Sequence, residues 1–457
     1  MSQWLDPAEI RARFSALMSD MYQKEVPLYG ELIDLVSDIN ATVLANDPEV
    51  RQHLEATGEL PRLDLERHGA IRVGTAEELF NIRRIFAVMG MLPVGYYDLA
   101  PAGVPVHSTA FRATDAESLN RSPFRIFTSL LRLELIDDEQ LRQTAAEVLS
   151  RRRIFTDRAL ALTAKHEAQG GLNEADAEEF VREVLETFRW HEEAYVSKEL
   201  YQALHNQHRL IADVVAFKGP HINHLTPRTL DIDAVQSGME TRGIPPKEII
   251  EGPPKRNCPI LLRQTSFKAL EEQVIFTGNG RQDGSHTARF GEIEQRGAAV
   301  TAKGRALYDR LLNEARAVSG APTEQNRNEY MQALAEKFTE FPDSYAEMQR
   351  QELAYFYYFA EDGADPGRIV SEADLPQLIS DGLVRIEPIV YEDFLPVSAA
   401  GIFQSNLGGT SQKQYDEASN RAEFERALGA EVADELALYA AIQQQSVQTC
   451  LNRLNRR

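Results

Sequence analysis

The sequence predicts an α+β protein made of two copies of a β-α-β-β-β module, joined and flanked by large helical additions. Two observations support this prediction. First, His68 and His224 each open a segment with the same order of strand and helix signals, and an arginine follows each histidine four residues later. Second, the segments around the modules are rich in Glu, Arg, Leu and Ala, with apolar residues at helical spacing. Two such modules can pair into one curved sheet around a cleft.

Residues 1–60 are predicted to be helical. Asp6 and Pro7 form a typical helix start, with the aspartate as N-cap and the proline at the first helical position. Apolar residues then recur at spacings of three or four, which gives one helical stripe: Ile10, Phe14, Met18 and Met21. A second helix is expected over about residues 30–45.

The first module is predicted over residues 61–136. A short strand, GAIRVG, covers residues 69–74, and a helix begins at Thr75, whose hydroxyl can accept hydrogen bonds from the first helical amides. Three more strand candidates follow, at residues 92–99 (LPVGYYDL), 104–112 (VPVHSTAFR) and 124–131 (FRIFTSLL).

Residues 137–210 return to a helical pattern and are expected to form an insertion between the modules. The second module is predicted over residues 211–300. Its first strand is HINHLTP (221–227), and a helix is expected from Asp231 to Thr241. Its three further strand candidates are residues 247–250, 259–270 (PILLRQTSFKAL) and 287–294 (TARFGEIE).

Residues 301–457 are predicted to be a mostly helical C-terminal region. Its helical part is expected to include the aromatic run at residues 355–359, whose side chains should pack against a core. A strand-like stretch at residues 386–390 and a loop near residues 395–401 follow. A final helix is expected from Tyr415 to about Leu454.

The composition excludes several classes of protein. A net charge of −21 is unfavourable for general nucleic-acid binding, which depends on basic surface, and for docking to anionic membranes. The two cysteines, Cys258 and Cys450, are far apart in sequence, so neither a thiolate zinc site nor a disulfide framework is expected. The N-terminal residues do not have the pattern of a signal peptide, and no apolar run approaches the ~20 residues that span a bilayer. A cytoplasmic location is therefore expected.

The matching positions of His68 and His224 indicate a metal site, because corresponding positions in paired modules can converge across a pseudo-twofold axis. Glu292 and Glu294 lie on the last strand of the second module and share one face by the period-two rule, so either could complete the site. His221 competes with His224, since it lies three residues away. Two histidines and one carboxylate leave about three of six octahedral positions open, as in non-haem Fe(II) oxygenases.

Four stretches of the sequence resemble one protein family, and the similarity extends over nearly the whole chain. The stretches are VPVHSTAFR (104–112), HINHLTPR (221–228), RQTSFKAL (263–270) and TARFGEIEQRG (287–297). They are similar to the YdcJ-type (DUF1338) family, whose characterised members are 2-oxoadipate dioxygenase/decarboxylases, also called hydroxyglutarate synthases. The resemblance implies a vicinal-oxygen-chelate core, which agrees with the β-α-β-β-β order predicted above.

The resemblance also implies an Fe(II) site formed by His68, His224 and Glu292. It implies that Arg72 binds the distal carboxylate of a 2-oxo dicarboxylic acid, and that Val397 and Ser398 contact this substrate. Arg72 and Ser398 are the expected catalytic side chains. The implied reaction converts 2-oxoadipate and O2 into 2-hydroxyglutarate, in the D form, and CO2, within lysine catabolism. No nucleic-acid or membrane partner is expected, and the sequence leaves the oligomeric state open.

Two other functions are alternatives at this point. The same fold and metal could serve an isomerase or a ring-cleaving dioxygenase, and an isomerase would consume no oxygen. A metal-free binding protein would have kept only the fold, but the presence of His68, His224 and Glu292 argues against it. Arg228 occupies the place in the second module that Arg72 occupies in the first, and it is expected to be structural.

Overall fold

A central mixed β-sheet of seven strands organises the protein. The computed structural model describes residues 4–320, 322–323, 325–395 and 417–455. Its strands, in chain order, are β1 (Arg67–Val73), β2 (Leu92–Asp98), β3 (Val106–Arg112), β4 (Arg125–Leu131), β5 (Glu193–Ala194), β6 (His224–Pro227), β7 (Leu262–Ser266), β8 (Glu271–Phe276), β9 (Gln282–Thr287), β10 (Phe290–Arg296), β11 (Phe356–Ala360) and β12 (Val384–Pro388).

Helices cover one face of this sheet and build the regions before, between and after its two halves. They are α1 (Pro7–Glu25), α2 (Pro27–Asn46), α3 (Pro48–Ala56), α4 (Ala76–Val88), α5 (Ala116–Arg121), α6 (Glu139–Arg151), α7 (Asp157–Gln169), α8 (Glu174–Leu185), α9 (Lys198–Gln207), α10 (Arg209–Ala216), α11 (Ile232–Thr241), α12 (Ala302–Ser319), α13 (Arg327–Lys337), α14 (Tyr345–Arg350), α15 (Leu375–Ser380), α16 (Glu417–Leu428) and α17 (Glu435–Leu454). Within the described residues, none of these helices is long and apolar enough to cross a membrane.

The strand order of the central sheet is β2-β3-β4-β1-β6-β10-β7. The first four strands belong to the first predicted module, and with α4 they have the expected β-α-β-β-β order. Strand β1 is parallel to β4 and antiparallel to β6, while β6 is parallel to β10. The two halves therefore meet along β1 and β6 in one curled half-barrel, which confirms the predicted α+β class and the curved sheet.

The second half of the sheet differs from the prediction in two places. Residues 247–250 do not form a strand, and the chain there makes only isolated bridges, Pro246 with Phe267 and Glu251 with Gln264. A hairpin of β8 and β9 is inserted before β10 and pairs with β5 in a separate sheet of three strands. Prolines at positions 245 and 246 remove amide donors, which explains why no regular ladder forms there.

Several helix starts follow the predicted capping chemistry. The carboxylate of Asp6 accepts a hydrogen bond from the Ala8 amide at the start of α1, and Thr75 caps α4 in the same way. Asp231 caps α11. The predicted stripe on α1 is buried, and its Phe14 ring packs edge-on against Phe124 and Phe188 at centroid distances of 5.7 and 5.5 Å.

Two predictions for the C-terminal region were wrong. The aromatic run at residues 355–359 belongs mostly to β11, which pairs antiparallel with β12. Burial alternates along this strand, with Phe356 and Tyr358 buried and Phe359 partly exposed, as the two-residue period of a strand requires. The final helix is divided into α16 and α17, because the chain turns at Gly429 with a positive φ of 71°.

Two glycines let the strands that join the halves pack closely against neighbouring core side chains. Gly69 of β1 and Gly291 of β10 both pair with Leu225 of β6, one on each side. A Cβ atom on Gly291 would lie 2.3 Å from Cε1 of Phe267, and one on Gly69 would lie 2.5 Å from Cδ1 of Ile222. A side chain at either position would therefore push a strand or its neighbour out of place.

We expect Gly291→Ala to lower the free energy of unfolding by about 1–3 kcal/mol, because the added methyl overpacks the seam between β10 and Phe267. Chemical denaturation of the purified variant measures this. Gly30→Ala on α2 is the matched control, since the nearest atom to its new Cβ is Gln23 Oε1 at 3.8 Å. There the helix propensity of alanine should leave stability unchanged or raise it by up to about 1 kcal/mol. Equal losses in both variants would contradict the packing argument.

Candidate metal centre

Three buried side chains converge from the three strands at the middle of the sheet. His68 lies on β1, His224 opens β6 and Glu292 lies on β10. His68 Nε2 is 3.2 Å from Glu292 Oε1, and His224 Nε2 is 3.8 Å from the same oxygen. One ligand atom from each residue lies within 4.8 Å of the other two. The structure thus brings together the three residues that the family resemblance implied as ligands.

The donor atoms of this group fit a metal ion. All three residues are fully buried. Within the described part of the chain, the Nε2 atoms of His68 and His224 and the Oε2 atom of Glu292 have no aligned hydrogen-bond partner. Buried polar atoms are normally paired, so a cluster of unpaired nitrogen and oxygen donors facing one another is the pattern that a bound cation would satisfy.

Glu292 and Glu294 occupy different places in this centre. Glu292 faces the Nε2 atoms of the histidines, whereas Glu294 Oε2 lies 3.0 Å from the opposite nitrogen of His68, Nδ1. Arg296 holds Glu294 through two hydrogen bonds of 2.7 and 2.9 Å. This arrangement places Glu294 behind His68. An outer carboxylate in this position orients the imidazole and leaves Nε2 as the atom that can bind a metal ion.

Local charges fit those roles. Burial raises the pKa of Glu294, but Arg296 and His68 outweigh it and bring the pKa down to about 2, so this carboxylate stays ionised at neutral pH. Burial lowers the pKa of His68, and Glu294 and Glu292 more than offset this, leaving it raised. Burial, His68 and Arg72 hold the pKa of His224 well below its ordinary value. His224 is therefore a neutral imidazole, the form that binds metals.

Two polar side chains fix the carboxylate of Glu292. Gln264 Nε2 on β7 donates to Oε1 at 2.9 Å, and the Thr226 hydroxyl on β6 donates to the same oxygen at 3.1 Å. Oε2 has no hydrogen-bond partner among the described residues. The sequence analysis did not assign these residues, although both lie inside the motifs of the family resemblance and Thr226 follows His224 at the two-residue period of one strand face.

A buried network of arginines and glutamates lies behind the centre. We call it the arginine–glutamate network, and its members are Glu59, Arg62, Glu66, Arg125, Arg228, Glu294, Arg296 and Glu392. Arg228 contacts Glu59 at 2.7 Å and Glu66 at 3.2 Å, so this arginine has a structural environment, in agreement with the expectation. Through Glu294 the network is connected to His68.

Arg72 lies on β1, on the strand face that also carries His68. Its Nη1 atom donates to Oδ2 of Asp213 at 2.6 Å, and its side chain is almost fully buried. A cavity of about 110 Å³ lies beside it, with Arg209 and Lys247 also in its lining. The Phe290 ring forms one wall of this cavity and stacks on His224, with 5.0 Å between ring centroids. Phe290 thus contacts both the cavity beside Arg72 and His224 of the candidate metal centre.

His221, the sequence competitor of His224, does not join this centre. Its Nε2 atom lies 3.1 Å from Asp213 Oδ1. Val397 and Ser398 lie outside the described residues. Shortly before them, Phe394 packs edge-on against His68 at a centroid distance of 4.9 Å.

Comparisons with known proteins identify the family of this chain. Residues 14–406 match the family model described as 2-oxoadipate dioxygenase/decarboxylase. A relative with that name from Pseudomonas putida is 62% identical over 457 residues, which covers 99% of this chain and 98% of the relative. A relative from Escherichia coli is 57% identical over 452 residues, covering 98% of this chain and 99% of the relative.

A solved structure is similar over the full length of both chains. It is the hydroxyglutarate synthase from Pseudomonas putida in complex with 2-oxoadipate, with a TM-score of 0.93, 61% sequence identity and 100% coverage of each chain. Fold and sequence agree over the whole chain, which belongs to the 2-oxoadipate dioxygenase/decarboxylase family.

Proposed function

We propose that this protein is an Fe(II)-dependent dioxygenase that converts 2-oxoadipate and O2 into D-2-hydroxyglutarate and CO2 in lysine catabolism. The observation that carries the proposal is the convergence of two buried imidazoles and one buried carboxylate, with a buried arginine on the same strand as His68. Membership of the family supports the choice of substrate, since a relative 61% identical is described as a complex with 2-oxoadipate.

His68, His224 and Glu292 would hold the iron. Neutral imidazoles and a single carboxylate suit Fe(II), and this ligand set leaves open positions for a substrate that offers two oxygens and for O2. When bound, Fe(II) supplies a site where O2 is activated next to the keto group. Thr226 and Gln264 hold Glu292 in one orientation, and Glu294 does the same for His68.

The proposed reaction balances without another co-substrate. The bond between the carboxylate and the keto carbon of 2-oxoadipate breaks, and the released carboxylate leaves as CO2. One atom of O2 joins the former keto carbon, which becomes the new carboxylate. The second atom is inserted into a C–H bond of the adjacent carbon and becomes the hydroxyl group of 2-hydroxyglutarate.

Arg72 would bind the distal carboxylate of the substrate. A guanidinium can form two parallel hydrogen bonds with a carboxylate, which fixes the chain of the acid relative to the metal. The position of Arg72 supports this role, because it lines a cavity that shares the Phe290 wall with His224. Val397 and Ser398 are proposed as further substrate contacts, with Ser398 as a hydrogen-bond donor. The contact of Phe394 with His68 supports this role, because Phe394 lies shortly before Val397 in the chain and packs against the candidate metal centre.

The function is tested by oxygen uptake of anaerobically iron-loaded protein given 2-oxoadipate, with products identified by mass spectrometry. We expect oxygen-dependent formation of 2-hydroxyglutarate and CO2. His68→Ala and His224→Ala should each abolish iron binding and turnover, whereas His166→Ala on α7 should behave as the unaltered protein. A fully active His224→Ala variant would refute the ligand set. Absence of oxygen uptake with iron in the site would direct the search to isomerase chemistry.

The two glutamates should respond differently to the loss of their charge. Glu292→Gln removes the carboxylate ligand and should abolish iron binding. Glu294→Gln leaves the ligands in place and removes only the partner of His68 Nδ1, so iron affinity should fall by roughly 10- to 100-fold. Titration of the metal-free variants with Fe(II) under anaerobic conditions measures both. Loss of binding in Glu294→Gln together with intact binding in Glu292→Gln would reverse the assignment.

Arg72→Ala should leave iron bound and weaken the binding of 2-oxoadipate by about 10- to 150-fold, the effect of losing a charged hydrogen bond. Steady-state kinetics and metal content together measure this. Arg72→Lys keeps the charge but loses the paired donors, so its KM should lie between those of the unaltered protein and Arg72→Ala. An unchanged KM in Arg72→Ala would contradict the proposed role.

A further inference from the structure

A second buried group of titratable side chains lies directly behind Arg72. Asp213 on α10 accepts from Arg72 Nη1 at its Oδ2 atom, at 2.6 Å. Its Oδ1 atom accepts from His286 Nε2 of β9 at 2.9 Å and lies 3.1 Å from His221 Nε2. The Tyr201 hydroxyl of α9 is 2.8 Å from the other ring nitrogen of His286. A continuous polar chain therefore runs from Tyr201 through His286 and Asp213 to Arg72.

Aromatic rings hold both imidazoles of this group in place. Trp190 packs edge-on against His221 and stacks on His286, with ring centroids 4.7 and 6.1 Å apart. Phe217 contacts both imidazoles from another side. With the rings fixed, the donor position of His286 Nε2 is fixed, and so is the orientation of the Asp213 carboxylate.

By distance alone, Asp213, His221 and His286 could also hold a cation, since one ligand atom from each lies within 4.8 Å of the others. The local charges favour a different role. Arg72 already supplies a positive charge to Asp213, and a divalent ion at the same carboxylate would be repelled by it.

We propose that Asp213, held by His286 and Tyr201, is the positioning residue that fixes the guanidinium of Arg72 for the distal carboxylate of the substrate. This proposal rests on the proposed function and extends it to residues outside the ligand set. A guanidinium carries five N–H donors, so a bond to Asp213 is compatible with simultaneous binding of a second carboxylate.

The physical need for such a residue follows from the neighbours of Arg72. The guanidinium lines the cavity whose Phe290 ring stacks on His224, so it lies near the metal centre. Asp213 is buried and ionised, because its basic neighbours keep its pKa well below the ordinary value despite burial. It therefore provides a fixed negative charge in direct contact with Arg72.

The test compares two acids of equal length in anaerobic calorimetric titrations of iron-loaded protein: 2-oxoadipate, and 2-oxohexanoate, which lacks the distal carboxylate. Asp213→Asn should raise the Kd of 2-oxoadipate by about 10- to 100-fold and change that of 2-oxohexanoate by less than about threefold. Arg72→Ala should give the same pattern. In the double variant, Asp213→Asn should add little to Arg72→Ala, because both act on one interaction.

Asp176→Asn is the matched control. Asp176 on α8 is also a buried carboxylate with one cationic partner, Lys165 at 2.6 Å, and its loss should leave both Kd values unchanged. Tyr201→Phe removes only the outermost hydroxyl and should raise the Kd of 2-oxoadipate severalfold. This milder variant keeps the proposal testable if Asp213→Asn does not fold.

Each failure has a distinct signature. If Arg72→Ala leaves the Kd of 2-oxoadipate unchanged, the proposed function of Arg72 fails. If Arg72→Ala weakens binding but Asp213→Asn and Tyr201→Phe do not, the positioning role of Asp213 fails. Equal weakening of both acids, or additive effects in the double variant, would also overturn it. A second metal ion per chain that disappears in Asp213→Asn would make this group a cation site instead.

Discussion

The pairing of β1, β6 and β10 side by side is the constraint on which the rest of the structure depends. Each strand contributes one member of the candidate metal centre, and β6 is the only connection between the other two in the described sheet. A one-residue slip of any strand would turn its ligand toward the helices. Gly69 and Gly291 make the correct register possible, since both flank Leu225 where a Cβ atom would collide with the core. Gly69 and Gly291, which allow close packing against the core, therefore also help to position the three residues of the candidate metal centre.

The buried charges add a second constraint on the same strands. Burying the arginine–glutamate network in an apolar interior would cost free energy unless every charge had a partner. The fold must therefore bring all of its members into contact. The network joins Glu66, just before β1, to β4, to β10 and to Glu392 after β12. Arg296 connects two parts of this structure. It pairs with Glu294, and it donates to the backbone carbonyls of Tyr391 and Asp393. Orientation of His68 through Glu294 is thus coupled to the placement of the C-terminal segment.

Sequence patterns predicted the first module well because its strands are long, apolar and bounded by clear helix and turn signals. Sequence patterns did not predict strands that lack an apolar run. The strands β8 and β9 carry mostly polar residues, and sequence patterns did not predict them. In the site, the two-residue period put Glu292 and Glu294 on one face and could not rank them. The choice of Glu292 over Glu294 as the candidate ligand requires the positions of Arg296 and His68 in the folded structure. Asp213 was missed for a similar reason, because its partners come from three separate segments.

Local charge explains how an acidic protein can bind an anion. The net charge of −21 is unfavourable for a dicarboxylate at long range, but salt screens such interactions beyond roughly 8–10 Å. Within that distance, the cavity is lined by three basic side chains, Arg72, Arg209 and Lys247, and by one carboxylate, that of Asp213. Burial lowers the pKa of Lys247 to about 8, which is the cost of holding a cation in this place. A carboxylate that entered the cavity would lower that cost by pairing with the cations. Selectivity for a dicarboxylic acid would then arise from contacts within the cavity and not from the field of the whole protein.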